Sequence, residues 1–465
     1  MACMRALIGI VLLFAPAVLL AADRPANIVL IVSDDQGYHD LGSFGATDVR
    51  TPRLDRLAQE GTRLTSFYVA WNACTPSRAA FLTGRYPQRN GTYDMIRNDR
   101  VDDGHLYSPE EYAVSPEHIL GTDVREIFLS NVLSDAGYAC GCYGKWDGGQ
   151  LKRFLPLQRG FNDFYGFCNT GIDYFTHERY GVPSMFAGNE PTTKDKGTYC
   201  TTLFRDHALK FIDQNHDRPF FLYIPFNAPH GASNLDREVR GSVQASPEYL
   251  AMYETSNGKS LKEQRRLGYM AAVTEMDAAI GTILDRLDRY EIADNTLVIF
   301  FSDNGGSGLA DNQPLQGQKS TMWEGGNRVP CIVRWPGQVP AGKTSDAFLT
   351  ALEVFPTACS ATGTPLPVGT TYDGFDMLPV LQGKIESPRN EMFWQRRNEV
   401  AVRIGNWKWI DSKKAKGLYH LPDDIGEKND LSQKHPDKVL ALKQRLAEWQ
   451  QEMEATEPRQ PFRDF

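Results

Sequence analysis

Four short hydrophobic runs along the chain each end in polar residues. ANIVLIVSDD, RPFFLYIPFNAPH and NTLVIFFSDNGG are continuous enough to be buried strands, and GYACGCYGKWD follows the same pattern less regularly. The polar residues at their ends are Asp34 and Asp35, His230, Asp303 and Asn304, and Lys145. Continuous hydrophobic strands of this kind are typical of a parallel sheet covered on both faces.

Helical patterns separate these runs. Thr51 and Pro52 are residue types that begin a helix, at its N-cap and first position, and Gly61 is of the type that ends one. The longest pattern runs from about Leu261 to Tyr290, where hydrophobic residues recur every three or four positions. Alternating strands and helices predict an α/β sandwich, in which ligands bind beyond the carboxyl ends of the strands. We therefore expect the polar strand ends to converge.

The pattern changes after about Thr357. The run ATGTPLPVGT is rich in Gly, Pro and Thr, as linkers are. It precedes two strand-like runs, EVAVRIGNWKWI and KGLYHLP, and a helical run, PDKVLALKQRLAEWQQEME. We predict a main domain at residues 23–360 and a C-terminal subdomain at residues 361–465, with a small antiparallel sheet and a terminal helix.

The first 22 residues have the anatomy of a secretory signal peptide. A basic residue, Arg5, precedes a hydrophobic run that ends in small residues, and Pro16 disfavours a spanning helix. A membrane anchor is the alternative interpretation. No later stretch approaches the roughly 20 apolar residues of a transmembrane helix. We expect a periplasmic or extracellular protein without a transmembrane segment after signal removal.

Composition narrows the class of protein. The chain has 465 residues, of which 41% are hydrophobic and 23% charged, as in ordinary globular proteins. Its net charge of -8 argues against a nucleic-acid partner, because nucleic-acid binding requires a basic face. A local positive pocket for a small anion remains compatible with that charge.

The cysteine count is odd once the signal peptide is removed. Cys3 leaves with that segment, so seven of eight cysteines remain. We expect Cys74 to be the one without a partner. The sequence leaves both pairing and free thiols open for Cys140, Cys142, Cys168, Cys200, Cys331 and Cys359.

The carboxylates at the strand ends indicate a metal. Asp34, Asp35 and Asp303 would repel one another strongly if they converged without compensation, and a hard divalent cation removes that repulsion. With the amide of Asn304 they form an oxygen-rich ligand set, which favours Ca²⁺ or Mg²⁺ over Zn²⁺. Either motif alone would also fit an ordinary turn.

Cationic residues point to the same place. They are Arg78, Lys145, His230 and Lys319. Lys319 lies in GQKSTMWEGG, whose glycines let the backbone approach a ligand closely. A metal and several cations around one pocket would bind a tetrahedral oxyanion and stabilise charge on its leaving oxygen.

The run Cys74-Thr75-Pro76-Ser77-Arg78 places a cysteine among polar, turn-forming residues, where we expect a surface turn ahead of a helix. With LTGRY following, it resembles the Cys-x-Pro-Ser-Arg signature of the type I, formylglycine-dependent sulfatases of the alkaline phosphatase superfamily. NIVLIVSDD, SDNGG and the tail LYHLPDDIGEKNDL extend this resemblance over most of the chain.

The resemblance implies a fold and a cofactor. The fold is a large, mixed, mainly parallel sheet sandwiched by helices, with residues 23–360 as the sulfatase catalytic domain. A maturation enzyme oxidises the cysteine of such proteins to formylglycine, whose hydrate attacks sulfur. The metal, calcium or alternatively magnesium, would be held by Asp34, Asp35, Asp303, Asn304 and the matured residue 74.

The resemblance also assigns roles to the cations. Arg78 would steady the formylglycine, Lys145 and Lys319 would bind sulfate, and His230 would lie near the leaving oxygen. One position departs from the family, which commonly has histidine where this chain has Asp147. An aspartate can act as a base, but it adds negative charge beside sulfate.

His177 and His207 are the alternatives for the missing histidine. The function implied is a secreted sulfuric ester hydrolase acting on a sulfated mono-, oligo- or polysaccharide. The alternatives are a formylglycine-dependent phosphodiester or phosphonate monoester hydrolase, and a catalytically silent carbohydrate-binding homologue. Specificity would come from two loops, residues 92–112, with Arg97, Arg100 and His105, and residues 176–190.

Overall fold

The computed structural model of the chain describes residues 24–96, 121–253 and 260–456. The predicted signal peptide, and Arg97, Arg100 and His105 of the first predicted specificity loop, lie outside these residues. Within the described ranges, no helix combines the length and the hydrophobicity that a membrane span requires.

The described residues form seventeen strands. They are β1 (Asn27–Ser33), β2 (Thr62–Tyr68), β3 (Ala139–Lys145), β4 (Asp163–Phe167), β5 (Glu178–Arg179), β6 (Val182–Pro183), β7 (Met185–Ala187), β8 (Glu190–Thr192), β9 (Phe220–Pro225), β10 (Thr296–Ser302), β11 (Arg328–Arg334), β12 (Lys343–Ser345), β13 (Leu349–Thr350), β14 (Glu391–Arg396), β15 (Glu399–Ile404), β16 (Trp407–Asp411) and β17 (Lys416–His420).

The α-helices of the described ranges are α1 (Pro52–Glu60), α2 (Cys74–Thr83), α3 (Pro87–Asn90), α4 (Leu129–Asp135), α5 (Cys200–Asn215), α6 (Pro247–Leu250), α7 (Leu261–Arg289), α8 (Glu324–Asn327), α9 (Val354–Thr362), α10 (Leu378–Leu381) and α11 (Pro436–Glu454). Three of them match the sequence predictions closely, and α11 spans the same residues as the predicted terminal helix. Helix α1 begins at Pro52 after the N-cap residue Thr51, and α7 covers the long hydrophobic repeat.

The large sheet has 11 strands. Their order is β12–β2–β11–β10–β1–β9–β3–β4–β7–β8, with β13 pairing beside β2. The central strands β10, β1, β9, β3 and β4 are parallel, whereas β11 and β7 join antiparallel at either side. The predicted mixed, mainly parallel sheet is therefore confirmed.

Both faces of this sheet are buried, as the continuous hydrophobic runs predict. Val29 and Ile31 of β1 lie in one hydrophobic core, which residues of α1, α5 and α7 complete. Ile28, Leu30 and Val32 lie in a second core, with residues of α2, α4 and α9. Since successive strand side chains point to opposite faces, one strand supplies both cores.

A second sheet, β14–β15–β16–β17, is antiparallel throughout. With α11 it forms a third core, in which Trp394 and Trp449 are buried. Tyr68 and Tyr86 of the main part of the chain also belong to that core. The small C-terminal antiparallel sheet is thus confirmed and packs on the main sheet; the boundaries at residues 360 and 361 remain a prediction.

The described cysteines form no disulfide bonds. Within the described ranges all seven are buried and none is in a disulfide. Cys74 is therefore not unusual in lacking a partner, because the other six lack one as well. The odd number of cysteines did not identify a special residue.

Candidate active site

The site lies at one edge of the large sheet, where four parallel strands end. Strands β10, β1, β9 and β3 are consecutive neighbours, and they are the strands of the four hydrophobic runs. Asp303 follows β10, Asp34 follows β1, and Lys145 is the last residue of β3. The polar strand ends therefore meet, for the topological reason that carboxyl ends of parallel strands share one edge.

Cys74 is the first residue of α2 and is fully buried, with no exposed surface. The prediction of a surface turn is wrong, because every residue of α2 is buried beneath long-range neighbours. The Cys74 Sγ lies 3.4 Å from Asp34 Oδ1 and 3.1 Å from Lys319 Nζ. Burial, and then the charge of Asp34, raise the pKa of this thiol well above its ordinary value.

The acidic residues converge around Cys74. One ligand atom from each of Asp34, Asp35, Cys74 and Asp303 lies within 4.8 Å of all the others. The amide oxygen of Asn304 is buried without a hydrogen-bond partner among the described residues, while its nitrogen donates to Asp35 Oδ1 at 2.8 Å. Clustered carboxylates and an unpartnered amide oxygen suit a hard cation such as Ca²⁺ or Mg²⁺.

Arg78 and Lys145 hold the inner side of this cluster. The Arg78 guanidinium donates from Nη2 and Nε to Asp303 Oδ2, at 2.7 and 3.0 Å, and from Nη1 to the Lys145 carbonyl at 3.0 Å. The Lys145 ammonium lies 2.6 Å from Asp34 Oδ2. All four side chains are at most 1% exposed, so these ion pairs are shielded from solvent.

Lys319 and His230 form the outer side. Lys319 Nζ lies 2.6 Å from Asp35 Oδ1, and His230 Nε2 lies 3.8 Å from Asp35 Oδ2. Their side chains are 18% and 19% exposed, unlike the buried inner pair, so a substrate would approach from this side. Burial lowers the pKa of His230, whose Nδ1 contacts the Gly231 carbonyl at 2.8 Å and so carries the proton of the neutral ring.

Asp147 lies inside the site. Its Oδ1 accepts a hydrogen bond from Thr75 Oγ1 at 2.8 Å, and its Oδ2 lies 3.7 Å from Lys145 Nζ. Oδ2 has no hydrogen-bond partner in the described part of the chain. Burial, partly offset by Lys145, raises the pKa of Asp147 to about 6. At 1% exposed, it contacts the site from within and not from the solvent side.

The two alternative histidines lie in other environments. His177 contacts the Thr198 carbonyl through Nε2 at 2.7 Å, and the His207 ring stacks on Tyr165 with centroids 4.0 Å apart. Neither belongs to the clusters of ligand atoms around Cys74. The structure therefore offers no support for either as a substitute at position 147.

Sequence reasoning missed two side chains of the site. Ser307 Oγ donates to Asp35 Oδ2 at 2.9 Å, and Thr75 binds Asp147 as described. Thr75 occupies the variable position of the Cys-x-Pro-Ser-Arg run, and Ser307 follows SDNGG by one residue. Their closeness in sequence to recognised motifs is the only signal that could have identified them.

The chain is similar to known sulfatases over most of its length. A sequence model of the family described as "Sulfatase" matches residues 26–364. N-acetylgalactosamine-6-sulfatase of Canis lupus familiaris is 33% identical over 414 residues, covering 84% of this chain and 73% of that protein. Arylsulfatase A of Homo sapiens is 32% identical over 431 residues, covering 85% and 77% respectively.

A solved structure agrees in fold. The crystal structure of Ps i-CgsB superimposes with a TM-score of 0.80 at 30% identity and covers 94% of each chain. It was also solved in complex with k-i-k-neocarrahexaose. Family match, identity and fold lead to the same conclusion: this chain belongs to the sulfatase family and is a sulfuric ester hydrolase.

Proposed function

We propose that the protein removes sulfate from a sulfated carbohydrate, using a formylglycine made from Cys74. The observation that carries this proposal is the position of Cys74, whose sulfur lies between an acidic cluster and the Lys319 ammonium at the N-terminus of a buried helix. An oxygen nucleophile at this position would lie against cations and a helix N-terminus, both of which stabilise negative charge.

The residues present fit the implied groups. A formylglycine at position 74 would supply an oxygen nucleophile, and a Ca²⁺ or Mg²⁺ would supply positive charge beside it. The residues that would hold the ion are Asp34, Asp35, Asp303 and Asn304, together with residue 74. Each of the three carboxylates pairs with one cation, Asp34 with Lys145, Asp35 with Lys319 and Asp303 with Arg78, and a bound ion would add to that compensation.

The remaining residues would bind the sulfate and move a proton. The ammonium groups of Lys145 and Lys319 lie in the same cluster as Cys74 and would bind the sulfate oxygens. Arg78, which donates to Asp303, would hold residue 74 and the acidic cluster in fixed positions relative to each other. On the exposed side, Lys319 Nζ would donate the proton that the leaving alcohol needs. His230 Nε2 lies on the same side and would donate a proton only from the doubly protonated ring, because the neutral ring carries its proton on Nδ1.

The substrate class rests on the relatives. N-acetylgalactosamine-6-sulfatase and the complex of Ps i-CgsB with k-i-k-neocarrahexaose favour a sulfated saccharide over other sulfate esters. The signal-peptide pattern of residues 1–22 favours a periplasmic or extracellular location. A maturation enzyme that oxidises Cys74 is the protein partner that this function requires.

The decisive experiment combines mass spectrometry with an activity screen. We expect the tryptic peptide containing residue 74 to lack the thiol and carry an aldehyde when the chain is co-expressed with a maturation enzyme. Purified protein should hydrolyse sulfated oligosaccharides and not the matching phosphate diesters. Cys74→Ala should abolish turnover, whereas Cys359→Ala, at another buried cysteine, should retain it.

An unmodified thiol at position 74 in fully active protein would contradict the proposed nucleophile. Turnover of phosphate diesters alone would contradict the substrate class. Thermal unfolding of both cysteine variants separates loss of chemistry from loss of fold, because each truncation removes only one buried sulfur.

A further inference from the structure

We propose that Arg240, with Arg179 and Tyr180, forms a second anion-binding subsite beside the active site. It would bind a further acidic group, a sulfate or a carboxylate, on the saccharide whose sulfate is removed. This inference rests on the proposed function and names the kind of substrate that the site prefers. It depends on a cavity, two arginines packed on one tyrosine ring, and a link to His230 through Gly171.

A cavity of ≈ 400 Å³ opens at the outer side of the site. Asp35 and His230 of the active site line it, together with Arg179, Tyr180 and Arg240. Its volume falls within the roughly 300–1,000 Å³ of small-ligand pockets. A sugar ring whose sulfate lies at the catalytic cluster can therefore extend into this space.

Both arginines pack on the same aromatic ring. The guanidinium carbon of Arg179 lies 5.0 Å from the Tyr180 ring centroid, and that of Arg240 lies 4.8 Å from it. Packing on a ring face holds a guanidinium group in place, and at Arg240 it leaves the N–H edge available to bind an oxyanion in bidentate fashion. Two stacked arginines therefore give this wall fixed positive charge in a chain whose net charge is -8.

Arg179 connects the wall to the catalytic residues. Its Nη1 donates to the Gly171 carbonyl at 3.2 Å and to Ser233 Oγ at 3.0 Å. Gly171 packs directly on His230, since a Cβ added at Gly171 would lie 2.9 Å from His230 Cε1. Gly171 therefore lies between Arg179 and His230, the histidine that we place near the leaving oxygen.

Arg240 retains hydrogen-bonding capacity. Its Nε donates to the Asn234 carbonyl at 2.9 Å. Among the described residues, the two Nη groups of Arg240 make no hydrogen bond. No described carboxylate lies within ion-pair distance of its guanidinium group. Its side chain is exposed at the cavity wall. An exposed, stacked arginine with a free edge is suited to a sulfate or carboxylate.

The test compares Arg240→Gln with Arg237→Gln, a change at an exposed arginine of the same loop that does not line the cavity. Three substrates are needed: a neutral monosulfated disaccharide, its disulfated analogue, and a monosulfated disaccharide with a uronic acid. Reduction of the uronate to its alcohol gives the matched control. Comparing the disulfated disaccharide with the uronate-containing disaccharide shows whether the second acidic group is a sulfate or a carboxylate.

We expect Arg240→Gln to lower kcat/KM by about tenfold to a hundredfold, mainly through KM, for whichever diacidic substrate the subsite binds. The neutral monosulfated and carboxyl-reduced substrates should change by less than about threefold, and Arg237→Gln should change none of them. Arg240→Lys should restore part of the loss. Equal losses on all substrates, or no loss on any, would overturn the proposal.

Failure of the proposed function can be recognised separately. Calorimetric binding of the same saccharides to the Cys74→Ala protein requires no turnover. Tighter binding of a diacidic saccharide that Arg240→Gln abolishes would support the subsite even if no sulfate ester were hydrolysed. Equal binding of neutral and diacidic saccharides would overturn it.

Discussion

Asp147 is a charged residue whose second oxygen has no hydrogen-bond partner within the described ranges. Its other oxygen is held by Thr75, and the nearest cation is Lys145 at 3.7 Å. With the pKa raised by burial to about 6, the carboxyl is neutral below that pH and charged above it. Its charge above pH 6 therefore competes with bound sulfate for Lys145.

We expect KM for a sulfate ester to rise by roughly tenfold as pH increases from 5 to 8, because Asp147 ionises in this range and opposes the anion. Asp147→Asn keeps the oxygen that accepts from Thr75 but removes the charge, so its KM should stay nearly constant with pH. Steady-state kinetics between pH 5 and pH 8 provide the measurement.

A different outcome would assign Asp147 another role. A large loss of kcat in Asp147→Asn, with an unchanged pH dependence of KM, would show that the carboxylate acts as a base. Thr75→Val controls for the hydrogen bond alone, because it removes the donor and leaves the Asp147 charge in place.

At the scale of elements, the short helix α8 joins the active site to the C-terminal sheet. Glu324, at its start, follows Lys319 by five positions. The Glu324 carboxylate accepts from Lys408 Nζ of β16 at 2.9 Å, and its backbone N–H donates to Glu427 Oε2 at 2.6 Å. Lys408 also lies 3.0 Å from Glu427 Oε1, and all three side chains are buried.

Lys408→Met should destabilise the protein by about 3–5 kcal/mol, because two buried carboxylates lose their shared cation. Activity should fall too, since Glu324 anchors the segment that carries Lys319. Lys416→Met is the matched control: this lysine is 73% exposed and pairs only at the surface with Asp411, so its loss should cost less than about 1 kcal/mol. Denaturant unfolding measures both.

If Lys408→Met and Lys416→Met cost the same free energy of unfolding, the buried cluster does not hold the two sheets together. Retention of full activity by a strongly destabilised Lys408→Met would show that α8 positions Lys319 without help from the C-terminal sheet.

The elements also show what a sequence can and cannot reveal. Asp34, Asp303 and Lys145 could be predicted together because a hydrophobic run identifies a buried parallel strand and topology then places its end. The depth of Cys74 could not, because the groups that cover it, Asp34 and Lys319, are 40 and 245 residues away in the chain. A short polar segment has the same sequence pattern as a surface turn when the residues that bury it are far away along the chain.

The same limit applies to the cavity wall. The second predicted specificity loop, residues 176–190, does contribute to the cavity, but Arg240 lies on another loop and packs on Tyr180. No sequence pattern predicts the contact between Arg240 and Tyr180. The sequence also could not predict that all seven described cysteines are free, because disulfide pairing depends on distances in space.

For the whole molecule, we expect the bound ion to contribute to stability. Removing it should abolish activity and lower the unfolding free energy by about 3 kcal/mol at an ion concentration near 100 times Kd. The physical reason is the close packing of Asp34, Asp35 and Asp303, because a bound ion adds to the positive charge that Lys145, Lys319 and Arg78 place beside them. Calorimetry and activity assays before and after chelation, followed by re-addition of Ca²⁺ or Mg²⁺, give the measurement.

Asp303→Ala should reproduce the loss of activity, whereas Asp423→Ala, at a carboxylate 82% exposed, should behave like the unaltered protein. An unchanged melting temperature and full turnover after metal analysis has verified depletion would show that these carboxylates do not hold an ion.

The burial of Cys74 has a consequence for how active protein comes into being. A side chain with no exposed surface cannot enter the pocket of another enzyme, so under the proposed function its oxidation must precede folding. Maturation and folding therefore compete for each newly made chain. A chain that folds first is locked in an inactive form that later addition of the maturation enzyme does not rescue. The fraction of active protein in a preparation is then decided by the relative rates of oxidation and folding, and purification of the folded product cannot raise it.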